Sequence, residues 1–236
     1  MGLGGVTRTR RSAATGVVAL AALGAWSAPA GAATVSFTGP NPDLARDTLV
    51  YAAAAGERNQ VSIRLRGSAY AVRDRGAPLS AGAGCRLGSP DVLCNGATAD
   101  QNPAVINLGD RNDSATIGVF GLNVLGGPGN DTIVVAGNAR PGFVDAAAPN
   151  EGDGLLGGAG NDRLYGGAND DSLDGGRGND LIVTGGGRND VNGGPGNDVI
   201  YSTNHRTDTV RCGSGHDTVY ADRKDKLSGC ESVHRY

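Results

Sequence analysis

The sequence predicts an all-β protein: a right-handed parallel β-roll, a solenoid of short strands and tight turns, with a β-rich cap at its N-terminal end. Three observations favour this fold. A nine-residue motif recurs along residues 157–201, glycines and one aspartate keep fixed places in it, and an aliphatic residue usually follows two positions after the aspartate. A repeat of this length is typical of stacked β-coils. The 41 glycines and three phenylalanines of the chain argue against a large conventional core.

The repeat is clearest in four copies, which begin at Gly157, Gly166, Gly175 and Gly193. Each copy carries an aspartate at its sixth place. Because paired glycines allow positive φ and close approach of the backbone to an ion, the first six residues can form a tight turn with inward-pointing carbonyls. The last three residues suffice for a very short strand, whose aliphatic side chain at the eighth place points into the roll.

Consecutive turns of such a roll lie on opposite sides, so turns that stack directly on each other are two repeats apart in the chain. We call a column of sixth-place residues on successive coils a file. The first file is predicted to contain Asp162, Asp180 and Asp198. The second file is predicted to contain, at spacings of 18, 19 and 18, Asp153, Asp171, Asp190 and Asp208.

The period extends upstream of the clear copies. The spacing between Asp113 and Asp131 is again 18, whereas that between Asp131 and Asp153 is 22. Two nine-residue repeats explain 18 of these 22 residues and leave four unexplained. The spacing therefore predicts an insertion of four residues, which we place within residues 138–150.

Aspartate and carbonyl oxygens are the hard ligands that Ca²⁺ prefers. Carboxylates stacked about 5 Å apart repel each other by roughly 3 kcal/mol at an effective dielectric constant of ~20. A cation between stacked turns converts that repulsion into attraction. We therefore expect Ca²⁺ as the cofactor, and a segment that is disordered without calcium and rigid with it.

The array resembles the RTX family, the hemolysin-type calcium-binding repeats with the consensus Gly-Gly-x-Gly-x-Asp-x-aliphatic-x. The match is very close over residues 157–201 and looser over residues 126–227. The resemblance implies that turn carbonyls and sixth-place aspartates bind Ca²⁺. The alternative interpretation is a glycine-rich flexible linker. A linker, however, does not require glycine and aspartate at fixed places of a repeat. The predicted metal-binding residues are Asp131, Asp153, Gly158, Gly160, Asp162, Gly167, Asp171, Gly176, Gly178, Asp180, Asp190, Gly194, Gly196, Asp198, Asp208 and Asp217.

Two turns depart from the consensus. Asn169 and Arg188 replace the glycine at the fourth place. The resemblance therefore implies weaker calcium binding in the turns that hold Asp171 and Asp190.

Residues 1–32 are predicted to be a secretory signal peptide. Arg8, Arg10 and Arg11 form a basic region, residues 13–25 are small and apolar, and residues 30–32 fit an A-x-A cleavage site. The apolar run is too short for a spanning helix. We therefore expect a secreted, extracellular protein without a membrane span.

Residues 33–107 are predicted to form a β-rich N-terminal module or cap, and residues 108–236 the calcium-binding roll. Residues 59–65 alternate, with Val61, Ile63 and Leu65 on one face. We expect three to five short strands in this module, as a cap or as early coils of the same roll, because a solenoid needs its open end covered. The alternative is a separate ligand-binding module.

The four cysteines suit an oxidising compartment. Cys85 and Cys94 are nine residues apart and could close a small loop. Cys212 and Cys230 are 18 apart, so the roll stacks them on adjacent coils, within the Cα separation that a disulfide tolerates. We predict these two disulfides, the second of which would clamp the C-terminal end of the roll. A zinc site is disfavoured, because the cysteines lack C-x-x-C spacing and the three histidines form no ligand pattern.

The net charge and the absence of catalytic motifs exclude several classes of function. Without residues 1–32 the chain has 18 Lys and Arg against 24 Asp and Glu, a net charge of −6 and no basic cluster, which makes nucleic acid a poor partner. No metalloprotease, G-x-S-x-G or phosphate-loop motif occurs, so we expect no enzymatic activity. The sequence predicts a secreted calcium-binding protein that folds on export. The alternative is a non-catalytic accessory or adhesive module of an extracellular enzyme or toxin system. Calcium ions are the expected partners, and no particular protein or surface is indicated.

Overall fold

The computed structural model describes residues 31–38, 48–95, 104–119, 121–136 and 152–236. The predicted signal peptide lies outside the described residues except for its last two positions. A helix with the length and hydropathy of a membrane span does not occur in the described residues.

The described residues form strands and turns and no helix. The strands in chain order are β1 (Ala33–Thr38), β2 (Thr48–Ala52), β3 (Gln60–Arg66), β4 (Ala69–Asp74), β5 (Leu79–Ala81), β6 (Cys85–Leu87), β7 (Val92–Asn95), β8 (Ala104–Asn107), β9 (Ser114–Gly118), β10 (Leu122–Pro128), β11 (Thr132–Val135), β12 (Gly154–Ala159), β13 (Arg163–Tyr165), β14 (Ser172–Arg177), β15 (Leu181–Val183), β16 (Asp190–Pro195), β17 (Val199–Ser202), β18 (Thr209–Ser214), β19 (Thr218–Ala221), β20 (Lys226–Ser228) and β21 (Ser232–Arg235).

The strands form two sheets. Sheet A has ten strands in the order β20-β18-β16-β14-β12-β10-β8-β2-β1-β5, and sheet B has eleven in the order β21-β19-β17-β15-β13-β11-β9-β3-β4-β7-β6. From β8 onward the chain alternates between the sheets, and every pairing within each sheet is parallel. One strand in each sheet makes one coil. This arrangement confirms the predicted all-β parallel β-roll; its right-handedness stays a prediction.

The core is a narrow double row of aliphatic side chains, because each coil contributes one eighth-place residue from each sheet. Along the repeats these side chains are at most 1 % exposed: Leu155, Leu164, Leu173, Ile182, Val191, Ile200, Val210 and Val219. Register confirms the two-repeat stacking, since Leu164 pairs with Ile182 and Ile182 with Ile200. Successive coils therefore bury equivalent side chains on top of one another.

The N-terminal module is both an early coil and a cap. Strands β2 and β3 pair in parallel with β8 and β9, so they form the first coil. Strands β1 and β4 then pair antiparallel with β2 and β3, and β5 to β7 extend the two sheets beyond them. Eight strands, β1 to β8, lie within residues 33–107, rather than three to five. Strand pairing crosses residue 107, and the division of the chain into domains stays a prediction.

The predicted four-residue insertion is wrong. Thr132 in β11 pairs with Arg163 in β13, and Asn123 in β10 pairs with Gly154 in β12. Both pairings have a sequence separation of 31 instead of 18, so the insertion between these coils has thirteen residues. The spacing of 22 was interpreted as that of two members of one file, but Asp131 and Asp153 belong to opposite sides of the roll. The segment in which we placed the insertion lies outside the described residues.

Both predicted disulfides are confirmed. Cys85 and Cys94 join the paired strands β6 and β7, with Cα atoms 4.1 Å apart. Cys212 in β18 and Cys230, two residues after β20, join adjacent coils with Cα atoms 5.1 Å apart. The two bridges thus lie in the cap and at the C-terminal end of the roll.

Candidate metal sites between stacked turns

The turns stack through their backbones. Gly158 and Gly160, at the second and fourth places of one turn, have φ values of 112° and 138°, which L side chains rarely adopt. A Cβ on Gly158 would overlap the carbonyl oxygen of Gly127 in the preceding coil. Glycine is therefore needed for its backbone conformation and because a side chain has no room, and the backbones of neighbouring turns pack directly against each other.

The first file is an unbroken ladder of hydrogen bonds. The backbone N–H of Asp162 donates to Oδ1 of Asp180 at 2.8 Å, and the N–H of Asp180 donates to Oδ1 of Asp198 at 2.9 Å. The same bond, directed from each coil to the next, joins all members of the file: Asn59, Asp113, Asp131, Asp162, Asp180, Asp198, Asp217 and Glu231. The predicted members of this file are thus brought together by the fold.

The other carboxylate oxygen of these aspartates has no such bond. Oδ2 is buried and has no hydrogen-bond partner among the described residues at Asp113, Asp131, Asp162, Asp180, Asp198 and Asp217. A buried anionic oxygen without a partner is costly. A row of such oxygens on successive coils would be stabilised by a positive charge bound beside it.

Four of the orphaned oxygens, those of Asp131, Asp162, Asp180 and Asp198, lie near a backbone carbonyl oxygen of the next coil. A Cβ on Gly157 would overlap Oδ2 of Asp162 and lie 2.5 Å from the carbonyl oxygen of Gly175, one coil further on. A Cβ on Gly175 would likewise overlap Oδ2 of Asp180 and lie 2.6 Å from the carbonyl oxygen of Gly193. Carboxylate and carbonyl oxygens of stacked turns therefore approach each other, and Oδ2 has no hydrogen-bond partner among the described residues. This donor set, all hard oxygens, fits Ca²⁺.

Side chains alone do not make these sites. In the described part of the chain, no group of three or more His, Cys, Asp or Glu side chains is placed to hold a metal ion. The oxygens that approach each other are instead one carboxylate oxygen and backbone carbonyls from stacked turns.

Burial dominates the electrostatics of the first file. It raises the pKa of Asp131 and Asp198 to about 7 and the pKa of Asp162 to about 6. The backbone N–H that each carboxylate accepts lowers its pKa, and the carboxylate of a neighbouring coil raises it. Without a cation, the folded protein therefore retains protons here up to near-neutral pH.

The second file differs from the prediction at one position. Its ladder, with bonds of 2.8–2.9 Å, runs through Asp153, Asp171, Asn189, Asp208 and Asp225. Placing Asp190 in this file is wrong. Asp190 is the first residue of β16 and pairs with Ser172 and Thr209. Its side chain is 42 % exposed and forms an ion pair of 2.6 Å with Arg211.

The physical reason is that the nine-residue period holds from Asp180 to Asp198, and the one extra residue lies between Asp198 and Asp208. Asp180, Asn189 and Asp198 are evenly spaced by nine residues, so an amide takes the sixth place and Thr184 takes the first. Arg188 then stands at the fifth place, not the fourth, and its N–H donates to Oδ1 of Asp170 at 2.7 Å. The predicted spacings of 18, 19 and 18 placed the extra residue one coil too early in the chain.

The second file is also satisfied from within the protein. Oδ2 of Asp171 accepts the N–H of Gly167 at 2.8 Å, and Oδ2 of Asp208 accepts the side-chain amide of Asn204 at 3.0 Å. Only Asp153 in this file has an orphaned Oδ2 among the described residues. The two files therefore present different chemistry to a cation.

The predicted glycines mostly adopt the expected conformation. Positive φ occurs at Gly158, Gly160, Gly176, Gly178, Gly194 and Gly196. Gly167 is the exception, since its φ is not positive, and its N–H is used by Asp171.

Sequence reasoning missed a second ladder beside the first file. The side-chain oxygen of each fifth-place asparagine accepts the backbone N–H of the equivalent residue in the next coil, as between Asn161 and Asn179 (2.8 Å) and between Asn179 and Asn197 (2.7 Å). His216 continues it, donating its N–H to Asn197 at 2.8 Å. The recurrent Asn before Asp was the available signal.

Comparison with known proteins gives one match. The model of the RTX calcium-binding nonapeptide repeat, present in four copies, matches residues 152–182 and 183–204. Neither a curated protein nor a solved structure matches the chain. The matched residues include three orphaned first-file carboxylates, those of Asp162, Asp180 and Asp198.

Proposed function

We propose, from the match of residues 152–204 to the model of the RTX calcium-binding nonapeptide repeat, that the chain is a secreted protein that binds Ca²⁺ between the stacked turns of its first file and completes its fold on export. The role is structural and non-catalytic. Its ligands are the Oδ2 atoms of the first-file aspartates and carbonyl oxygens of the turns, with Asp153 as the one comparable group of the second file. Asp190 is not among them.

One observation carries this proposal: the row of buried Oδ2 atoms that have no partner among the described residues. Seven such atoms occur there, six of them in one file. Each costs stability when it is ionised and unpaired. Bound Ca²⁺ would supply the missing positive charge, while the chain supplies the ligand oxygens, the spacing between coils and the Oδ1 bonds that hold each carboxylate in place.

The chain would complete its folding when it is exported. The basic and apolar pattern of residues 8–25 supports secretion, and the two disulfides fit an oxidising compartment. Calcium modules of extracellular proteins bind with dissociation constants of about 10⁻⁴–10⁻³ M. A chain with sites of that strength would stay incompletely folded in the calcium-poor cytosol and complete its fold outside the cell.

Circular dichroism of residues 33–236, first in EDTA and then with added Ca²⁺, tests the proposal. We expect a reduced β-sheet signal with a low melting temperature in EDTA, and a full β-sheet spectrum above about 1 mM Ca²⁺. Mg²⁺ at the same concentration is the control for ionic strength, and should produce little folding because it holds its water more tightly. Equal order in EDTA and in Ca²⁺ would refute calcium-dependent folding.

A further inference from the structure

The gap of the second file between turns 184–189 and 203–208 contains a side-chain amide. The Nδ2 atom of Asn204 lies 2.9 Å from the carbonyl oxygen of Gly185, 3.2 Å from that of Gly187 and 3.0 Å from Oδ2 of Asp208. The hydroxyl oxygen of Thr184 is 3.5 Å away. One nitrogen is thus surrounded by two carbonyl oxygens, a hydroxyl oxygen and a carboxylate oxygen.

The orientation of this amide follows from its other end. Oδ1 of Asn204 accepts the backbone N–H of Arg206 at 2.7 Å. A flipped amide would turn its oxygen towards four oxygens and its nitrogen towards an N–H, so both ends would be repelled. The NH₂ group therefore faces the oxygens and carries partial positive charge into the gap.

Asn189 contributes a second amide to the same gap. Its Oδ1 accepts the N–H of Asp171 at 2.9 Å, as an aspartate of the ladder would. Its Nδ2 then donates to the carbonyl oxygen of Gly186 at 2.9 Å and approaches Oδ1 of Asp208 at 3.3 Å. An asparagine at the sixth place keeps the ladder and replaces the orphaned oxygen by a donor.

The equivalent gap of the first file shows the contrast. Asp198 and Asp208 are the sixth-place residues of consecutive turns, and both accept a ladder N–H on Oδ1, at 2.9 and 2.8 Å. Oδ2 of Asp198 has no partner among the described residues, whereas Oδ2 of Asp208 is bound by Asn204. The difference between them is the amide nitrogen.

A side-chain amide that donates to a carbonyl oxygen is also found at the N-terminal end of the first file. Asn59 occupies the sixth place there, and its Nδ2 donates to the carbonyl oxygen of Leu108 at 2.8 Å. Leu108 stands at the first place of the next turn, where the repeats have the carbonyl oxygens that approach Oδ2. An amide again stands where the internal coils have two facing oxygens.

We propose that Asn204, assisted by Asn189, is a built-in replacement for a cation. Its amide neutralises the oxygens between turns 184–189 and 203–208, so this gap takes no Ca²⁺ and is held together without it. The inference rests on the proposed calcium binding of the first file, and it makes the roll one-sided: cations along the first file, and protein donors at this level of the second.

Replacing the amide by an isosteric carboxylate tests the proposal. Asn204→Asp keeps the acceptor for Arg206 and turns the donor into an oxygen, and Asn189→Asp does the same at the sixth place. Isothermal titration should show about one additional Ca²⁺ per molecule for either variant. Thermal melts in EDTA should show a lower melting temperature than the wild type, because unpaired carboxylate oxygen replaces a satisfied amide.

Asn179→Asp is the matched control. Asn179 also accepts a backbone N–H on Oδ1, but it belongs to the exposed fifth-place ladder. It should change neither the number of bound ions nor the melting temperature in EDTA by a comparable amount. If Asn204→Asp fails to fold in both EDTA and Ca²⁺, Asn189→Asp decides by the same two measurements.

The two proposals fail differently. Unchanged stoichiometry together with unchanged melting in EDTA for both variants would overturn the role of Asn204 while leaving calcium binding intact. A wild-type protein that binds no Ca²⁺ would instead overturn the proposed function. Amide exchange of the wild type adds a third readout: in EDTA, turns 184–189 and 203–208 should exchange more slowly than first-file turns 175–180 and 193–198.

Discussion

Asp180 and Asp198 lie two repeats apart in the chain, yet the backbone N–H of the first donates to Oδ1 of the second at 2.9 Å. That bond uses one oxygen of Asp198 for the fold and leaves Oδ2 buried without a partner among the described residues. A single carboxylate therefore has two separable tasks. Oδ1 holds coils in register, and Oδ2 is available to a cation.

Asp180→Asn separates these tasks. The variant retains an oxygen for the N–H of Asp162 and places an amide nitrogen near the carbonyl oxygen of Gly193, as Asn59 does near Leu108. We expect fewer Ca²⁺ ions in a calorimetric titration and a metal-free protein stabilised by about 1–3 kcal/mol, since a buried unsatisfied oxygen is removed. Unchanged calcium binding would contradict the assignment of Oδ2 as a ligand.

Asp190→Asn is the companion test of register. The side chain of Asp190 is exposed and paired with Arg211 instead of lying in the second file. We expect calcium stoichiometry and affinity to match those of the wild type, and stability to change by less than about 1 kcal/mol, because exposed ion pairs contribute little. Loss of a bound ion in this variant would show that Asp190, not Asn189, occupies the sixth place.

The metal-free protein should become less stable as pH rises. Burial raises the pKa of Asp131, Asp153 and Asp198 from 3.8 to about 7. Between pH 4 and 7 the folded state then binds more protons than the unfolded state, so the free energy of unfolding falls with increasing pH. Thermal melts in EDTA across this range measure it, and a flat or rising profile would contradict the burial of these groups.

Calcium should reverse that slope. Ca²⁺ binds ionised carboxylates, and protons compete with it. Melting temperatures in excess Ca²⁺ should therefore rise from pH 5 to pH 7.5. The same samples with EDTA in place of Ca²⁺ provide the internal control.

The disulfide between Cys212 and Cys230 should stabilise the end of the roll. It closes a loop with a sequence separation of 18, for which chain entropy predicts about 3 kcal/mol. Cys212→Ser with Cys230→Ser should lower the melting temperature in saturating Ca²⁺ and raise the calcium concentration needed for folding. Cys85→Ser with Cys94→Ser is the control for a bridge in the cap, and should lower stability with less effect on calcium affinity.

The period of the sequence predicted most of the roll because coil stacking follows from spacing. The places of Asp162, Asp180 and Asp198 in one file required only that two repeats make one coil, and the register of Leu164, Ile182 and Ile200 confirms it. The pairing of the four cysteines followed from the same spacing and from loop length.

The error in the second file arose because a carboxylate was placed at a position that does not fit the nine-residue spacing. Asp190 was placed in the second file as a carboxylate at spacings of 19 and 18 from its neighbours, although nine-residue steps from Asp180 and back from Asp198 both lead to Asn189. The role of Asn204 could not be predicted, since it depends on an amide reaching across a gap between turns. Strand direction in the cap was equally hidden, because alternation in β3 and β4 does not distinguish a hairpin from a coil.

The thirteen-residue insertion between β11 and β12 has a practical consequence. The N–H of Asp131 still donates to Oδ1 of Asp162 at 2.7 Å despite the longer connection, so stacking is indifferent to the length of chain that joins these two coils. Contacts between successive coils hold the roll together, and the length of the connecting chain does not matter here. Foreign peptides or reporter tags added to the connection between β11 and β12 should accordingly leave assembly intact, which makes that connection a point of attachment for engineering the protein.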